Sequence, residues 1–146
     1  MKTQLNQLIN KALDKLYKED IYLIDKHLHE QCIVFRFALY FYNMIQESEF
    51  KDYDLDIEYN RNGNKTKCIT NYENGVRPDL ILHKRGNDNN NLLVLEFKKG
   101  ESDIITINDK SKIKEFINPN MNYRYKNGAI VLITPNRSNR NLEWID

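Results

Sequence analysis

The chain has 146 residues, enough for one domain with a single two- or three-layer core and too few for a second folded module. Its 22 basic and 21 acidic residues leave a formal charge of +1, so the overall balance carries no information about an anionic partner. Two isolated cysteines, Cys32 and Cys68, give neither a disulfide framework nor a zinc site, and the absence of a signal-peptide core or a membrane-length apolar run predicts a reduced, cytoplasmic protein with no membrane partner.

Residues 4–17 place Leu5, Leu8, Ile9, Ala12, Leu13 and Leu16 at spacings of three and four, which predicts an amphipathic helix. A second helix is expected from about Asp25 to Gln46, largely buried because apolar residues recur on nearly all sides of CIVFRFALYFYNMI. DLDIEYNR, 54–61, switches to period two, with Leu55, Ile57 and Tyr59 on one face and Asp54, Asp56 and Glu58 on the other. Asn62-Gly63 and Asn74-Gly75 mark turns. DLILHKR and NLLVLEFKK, joined by the polar loop GNDNNN, then predict an antiparallel hairpin over 79–84 and 92–98. NDKSKIKEFI, 108–117, predicts a helix capped by Asn108 or Asp109 with Ile113, Phe116 and Ile117 facing inward. GAIVLIT, 128–134, has no polar alternation, as a buried central strand requires. The fold class is α/β mixed, a central mixed four-stranded sheet flanked by helices. It forms one domain over 1–146, with N-terminal helices over 1–50, core sheet and helix over 51–134, and a tail over 135–146 whose state the pattern leaves open.

The hairpin carries the chemistry. Alternation puts Asp79, Ile81 and His83 on one face of its first strand, and Val94, Glu96 and Lys98 on one face of its second. Two carboxylates and an ammonium can converge there against an apolar interior, and a buried carboxylate is costly unless it is paired or coordinates a metal. One reading is a self-neutralising group in which Lys98 pairs with Asp79 or Glu96. The other is a divalent cation site: two hard carboxylate ligands suit Mg²⁺ or Mn²⁺, which lowers the pKa of a bound water, while the lysine orients that water or stabilises charge developing on a phosphate.

Pro78-Asp79, 16 intervening residues and Glu96-Phe97-Lys98 resemble the motif of the PD-(D/E)xK nuclease superfamily, also called restriction-endonuclease-like. That superfamily's core runs helix, three strands, helix, strand, the order read here from about residue 25 to 134. A second ExK, Glu49-Phe50-Lys51, follows a helix and lacks an apolar strand before it, whereas LLVL, 92–95, leads into Glu96. The resemblance implies that Asp79 and Glu96 hold the metal, that the backbone carbonyl of Phe97 completes its shell and that Lys98 is the catalytic lysine. Many members add an acid from the helix before the first strand; Glu30 is the candidate here, with an exposed first-turn acid as its alternative. The QxxxY signature of one large branch is absent. Lys110, Lys112 and Lys114 stand there instead.

Beyond the motif, residues 1–73 carry 10 basic and 12 acidic residues and residues 74–146 carry 12 and 9, so the net charge moves from −2 to +3. Lys99, Lys110, Lys112 and Lys114 are candidates to face a phosphate backbone, and His83 to touch substrate from the edge of the site. His27 and His29 are more simply explained by ordinary hydrogen bonds than by a metal, and Glu58 is a candidate outer acid. Tyr123, Arg124, Tyr125 and Lys126 interleave aromatics with bases, which suits nucleic acid or a strand edge equally. The expectation is a Mg²⁺-dependent nuclease acting on phosphodiester bonds in DNA, with target specificity requiring a homodimer or larger assembly. Two rivals are a nuclease-fold protein that binds nucleic acid or a protein partner without cleavage, and an α/β protein whose hairpin charges are structural.

Overall fold

The computed structural model describes residues 1–26, 28–59, 77–99 and 105–146. His27, Cys68, the two Asn-Gly turns and the far end of DLDIEYNR lie outside the described residues.

Helix α1 (Lys2–Glu19) buries the stripe Leu5, Ile9, Ala12, Leu13 and Leu16, as its spacing requires. The second expected helix is two. A five-residue α2 (Ile21–Asp25) is separated from α3 (Glu30–Gln46) by His29, whose backbone is extended (φ −53°, ψ 136°) and whose ring accepts the Gln31 N–H at 3.2 Å. A side-chain cap of this kind satisfies one orphan donor and starts the helix at Glu30 rather than Asp25. α3 is buried along Ile33, Phe37, Phe41 and Ile45, yet Phe35, Leu39 and Tyr42 remain exposed, so it is apolar all round but covered on one side only.

Five strands form one open mixed sheet in the order β1 (Asp54–Ile57), β2 (Leu80–His83), β3 (Leu93–Lys99), β4 (Asn127–Ile133) and β5 (Leu142–Ile145). The first two pairings and the last are antiparallel, while β3 and β4 are parallel and joined through α4 (Ile107–Ile117). The four-strand expectation is thus corrected to five. β5 comes from the tail, too short at four residues for alternation to show, and is held by pairing with β4 and by Trp144 donating to Asn6 on α1 at 2.9 Å. Next to it the Tyr17 hydroxyl of α1 donates to the Thr134 carbonyl at 2.7 Å and accepts from Asn141 at 3.1 Å, a fully buried polar junction.

The sheet separates two cores. Leu80, Leu82, Leu93, Leu95, Phe97, Ala129 and Val131 pack against α1 to α3, and Ile81, Val94 and Ile130 pack against Ile113 and Phe116 of α4. Period two in β3 therefore turns Leu93, Leu95 and Phe97 to the helical layer and Val94, Glu96 and Lys98 to α4. β1 obeys the same rule for Leu55 and Ile57, but Glu58 takes φ +49° and the alternation breaks there. Tyr59 accordingly joins the α4-side core and meets His83 edge-on at 4.6 Å between ring centroids, contrary to the face expected for it.

α4 is capped by Thr106, not by Asn108 or Asp109. Thr106 Oγ1 accepts the Asp109 N–H at 3.2 Å, and Asp109 Oδ2 accepts the Thr106 N–H at 2.7 Å, a capping box that places Asp109 at the third helical position. Gly128 of β4 sets how near this helix comes: a Cβ there would stand 2.6 Å from Ile113 Cγ2 and 2.7 Å from Ile117 Cγ2. Only glycine admits that approach. It brings the polar side of α4 down onto Glu96 and Lys98.

Candidate active site

The β2–β3 ladder pairs Leu80 with Leu95, so one further step sets Asp79 beside Glu96. Asp79 Oδ2 accepts the Phe97 N–H at 2.7 Å, which pins this carboxylate to the end of β3. A strand residue's N–H and C=O point to the same neighbour, so the Phe97 carbonyl is turned toward the Asp79 side as well. The Glu96 and Asp79 carboxyls lie within hydrogen-bonding reach of each other, and burial together with repulsion from Asp79 pushes Glu96 well above the usual carboxylate range.

Glu30, in the first turn of α3, completes an acidic group. Its carboxyl takes a hydrogen bond from the Lys99 backbone, and burial followed by repulsion from Asp79 moves it upward too. The backbone N–H of Glu58 reaches the Asp79 carbonyl at 3.2 Å, and its carboxylate accepts from Gln31 of α3 at 3.3 Å. Glu30, Asp79 and Glu96 thus arrive from three elements and share an electrostatic environment. Among the described residues, no three His, Cys, Asp or Glu side chains form a ready-made metal cage.

Two lysines face this group from the α4 side. Lys98 Nζ donates to Asp109 Oδ2 at 2.6 Å, and so pairs with neither Asp79 nor Glu96. Burial would raise the Asp109 carboxyl, but hydrogen bonds from Lys98 and Thr106 hold it below its ordinary value. Lys112 Nζ stands 3.0 Å from Glu96 Oε1. That contact is an ion pair by distance only; among the described residues no donor makes a directed hydrogen bond to this buried oxygen. A cavity of about 150 Å³ opens between β3 and α4, lined by Glu96, Phe97, Lys98, Asn108, Asp109 and Lys112. It exceeds by far the ~15 Å³ that one water needs. The larger hollow of about 640 Å³ beside α3, lined by Leu23, Cys32, Phe35 and Ile57 among others, has no carboxylate in its lining and no part in this chemistry.

The other candidates separate. Lys99 points to the opposite face from Lys98, its ammonium bonded to the Leu28 carbonyl. Lys110 pairs with Glu143 of β5 at 2.9 Å, and Lys114 is exposed in the last turn of α4. Lys112 is the lysine of that helix that reaches the acids. His83 sits four residues along β2 from Asp79, about 13 Å at the usual rise, buried and bonded to Asp56 at 2.7 Å. Tyr123 and Tyr125 are buried against Phe116, unavailable for base stacking. The second ExK lies in the turn after α3, with Glu49 and Lys51 exposed around a buried Phe50.

Asp109 was legible only as a helix cap and Lys112 only as a phosphate contact. Their shared helical face, three residues apart, was the available signal for a joint role. No protein-family model matches the chain, and neither does any curated protein or solved structure. No helix among the described residues is long and apolar enough to cross a membrane.

Proposed function

We propose that this protein is a Mg²⁺- or Mn²⁺-dependent nuclease of the PD-(D/E)xK type, a cytoplasmic enzyme that hydrolyses phosphodiester bonds in DNA. The observation that carries this reading is the convergence of Asp79 and Glu96 on adjacent strand ends, with Glu30 coupled to the same point. Like-charged buried carboxyls repel, and a divalent cation relieves that repulsion. The donor set fits: hard oxygens from Asp79, Glu96, Glu30 and the Phe97 carbonyl, one Glu96 oxygen lacking a directed hydrogen bond, and an adjoining cavity with room for water. When bound, the metal supplies an activated water and neutralises phosphate charge.

The chain's own residues do the rest. The Phe97 N–H fixes the Asp79 carboxylate before any ligand arrives. Asp109 restrains the Lys98 ammonium at the cavity wall, from which it can stabilise negative charge on a phosphate oxygen. Lys114 and the other α4 lysines offer sequence-independent attraction to a backbone, and a preferred target would call for a dimer or larger assembly.

A rival has its own support. Lys98–Asp109 and Lys112–Glu96 already neutralise much of the group, as expected of structural charges or of a nuclease-fold protein that binds a nucleic acid or protein without cutting. Incubation with plasmid and single-stranded DNA in Mg²⁺, Mn²⁺ or EDTA decides between them. Cleavage that needs the cation and vanishes in Asp79→Ala supports the enzyme. Intact substrate under all conditions, with folded protein, supports the rival.

A further inference from the structure

Lys112 occupies a position that the proposed reaction does not explain. Its side chain is 21% exposed and Glu96's 13%, so the pair is largely removed from water, and the ammonium lies where a cation serving Glu96 would lie. The contact exists because Gly128 lets α4 settle against β4; a helix set further out would leave Glu96 beside Asp79 with no positive charge on that side. The geometry of the pair is that of a point charge rather than a directed bond, as a compact ammonium on a four-carbon stem provides. Lys98 is different: Asp109 holds it, and the capping box holds Asp109.

We infer that Lys112 is the resident cation of the metal-free site, seated on Glu96 and exchanged for the divalent metal when the metal binds. The inference rests on the nuclease reading above. An ammonium and a dication cannot both sit against Glu96 Oε1 without strong repulsion in a poorly solvated cleft. Metal entry therefore moves the Lys112 head away from Glu96, along a flexible stem and into the cavity it already lines. There it stands on the same wall as Lys98, two positive charges at a place suited to a phosphate. The lysine protects the acids from mutual repulsion before the metal arrives and adds phosphate affinity afterwards. Metal and DNA binding are coupled through this one side chain.

The test uses the metal alone. Mn²⁺ is titrated calorimetrically into the wild type, Lys112→Met, Lys112→Arg and, as a control lacking the ligand, Glu96→Gln, in the absence of DNA. Lys112→Met is expected to bind Mn²⁺ on the order of tenfold more tightly than the wild type, within the usual range for two ligands coupled at one site. Lys112→Arg keeps the charge and is expected to bind no more tightly than the wild type. In thermal melts Lys112→Met should unfold earlier than the wild type in EDTA and recover more with Mn²⁺, whereas a purely structural lysine lowers both curves equally. Unchanged or weaker Mn²⁺ affinity in Lys112→Met overturns the inference while leaving the metal site standing. If the wild type itself takes up no Mn²⁺, the nuclease reading falls and this inference with it. Should Lys112→Met fail to fold, Lys112→Gln, which retains a donor toward Glu96, gives the same decision.

Discussion

Two buried carboxylates in one sheet meet opposite fates. Asp56 of β1 and Glu96 of β3 have side chains 16% and 13% exposed, so their loss of water is nearly the same. Asp56 accepts from His83 Nε2 at 2.7 Å and from the Arg85 guanidinium at 2.9 and 2.7 Å. Burial alone would raise its pKa, but these bonds hold it far below the usual carboxylate range. Glu96 has a second carboxyl as neighbour and one ammonium placed by distance alone, and it moves the other way. What separates a settled acid from a poised one is the number and direction of its donors, not its depth. The His83 end of β2 is built for the fold and the Asp79 end is left in want of a cation.

The largest expected effect breaks the poised side. Asp79→Ala or Glu96→Ala should cut metal-dependent cleavage on the order of 10²–10³-fold, the scale for losing a key electrostatic group, in a plasmid-nicking time course. The metal-free Tm should hold or rise, because repulsion between the two carboxyls is relieved. A cleavage rate within twofold of wild type in either variant would remove these acids from the site.

The same substitution logic applied to the settled side should cost stability instead. Asp56→Asn leaves Arg85 and buried His83 without their shared acceptor, and a loss of about 3 kcal/mol in urea unfolding is expected for breaking such a pair. Per-molecule cleavage of the folded fraction should stay near wild type. An unchanged urea midpoint would mean that the network contributes nothing net.

Gly128→Ala tests the spacing that joins the two layers. Forcing a methyl against Ile113 and Ile117 should destabilise by about 1–3 kcal/mol and lift α4, loosening Lys112 from Glu96. Mn²⁺ affinity should then shift in the direction of Lys112→Met.

The smallest effect is in the pH dependence of the metal-free protein, where the two acids have opposite signs. Asp56 has a folded-state pKa below its unfolded value of 3.8, so its contribution is present above that pH and is lost as pH falls below it. Glu96 has a folded-state pKa above its unfolded value of 4.5, so stability declines as pH rises from there. Urea midpoints against pH should flatten on the acid side in Asp56→Asn and on the rising side in Glu96→Gln. Parallel curves for all three proteins would contradict both assignments.

Much of this was legible in the chain because strands and helices write their faces at fixed periods. LLVL before Glu96 announced a buried strand, the polar GNDNNN loop announced its antiparallel partner, and those two facts sufficed to bring Asp79 and Glu96 together. The same period, applied one residue further, separates Lys98 from Lys99, so grouping Lys99 with the α4 lysines went against the pattern. β5 stayed hidden because four residues are too few to show alternation, and its stability comes from α1 and β4 rather than from LEWI itself. The partners of Lys98 and Lys112 were beyond local pattern. They depend on how deeply α4 settles, which Gly128 decides from a position sixteen residues after Lys112.

The buried junction of Tyr17, Thr134 and Asn141 ties residues more than a hundred positions apart into one hydrogen-bonded knot. A segment fastened this way cannot open alone. β5 lies at the edge of the sheet, where amides ordinarily exchange with solvent by local fraying. Here that fraying has to unseat Tyr17 and with it the C-terminal half of α1. Amide exchange at Trp144 and Ile145 should therefore keep step with exchange in α1, making the last strand and the first helix one cooperative opening unit.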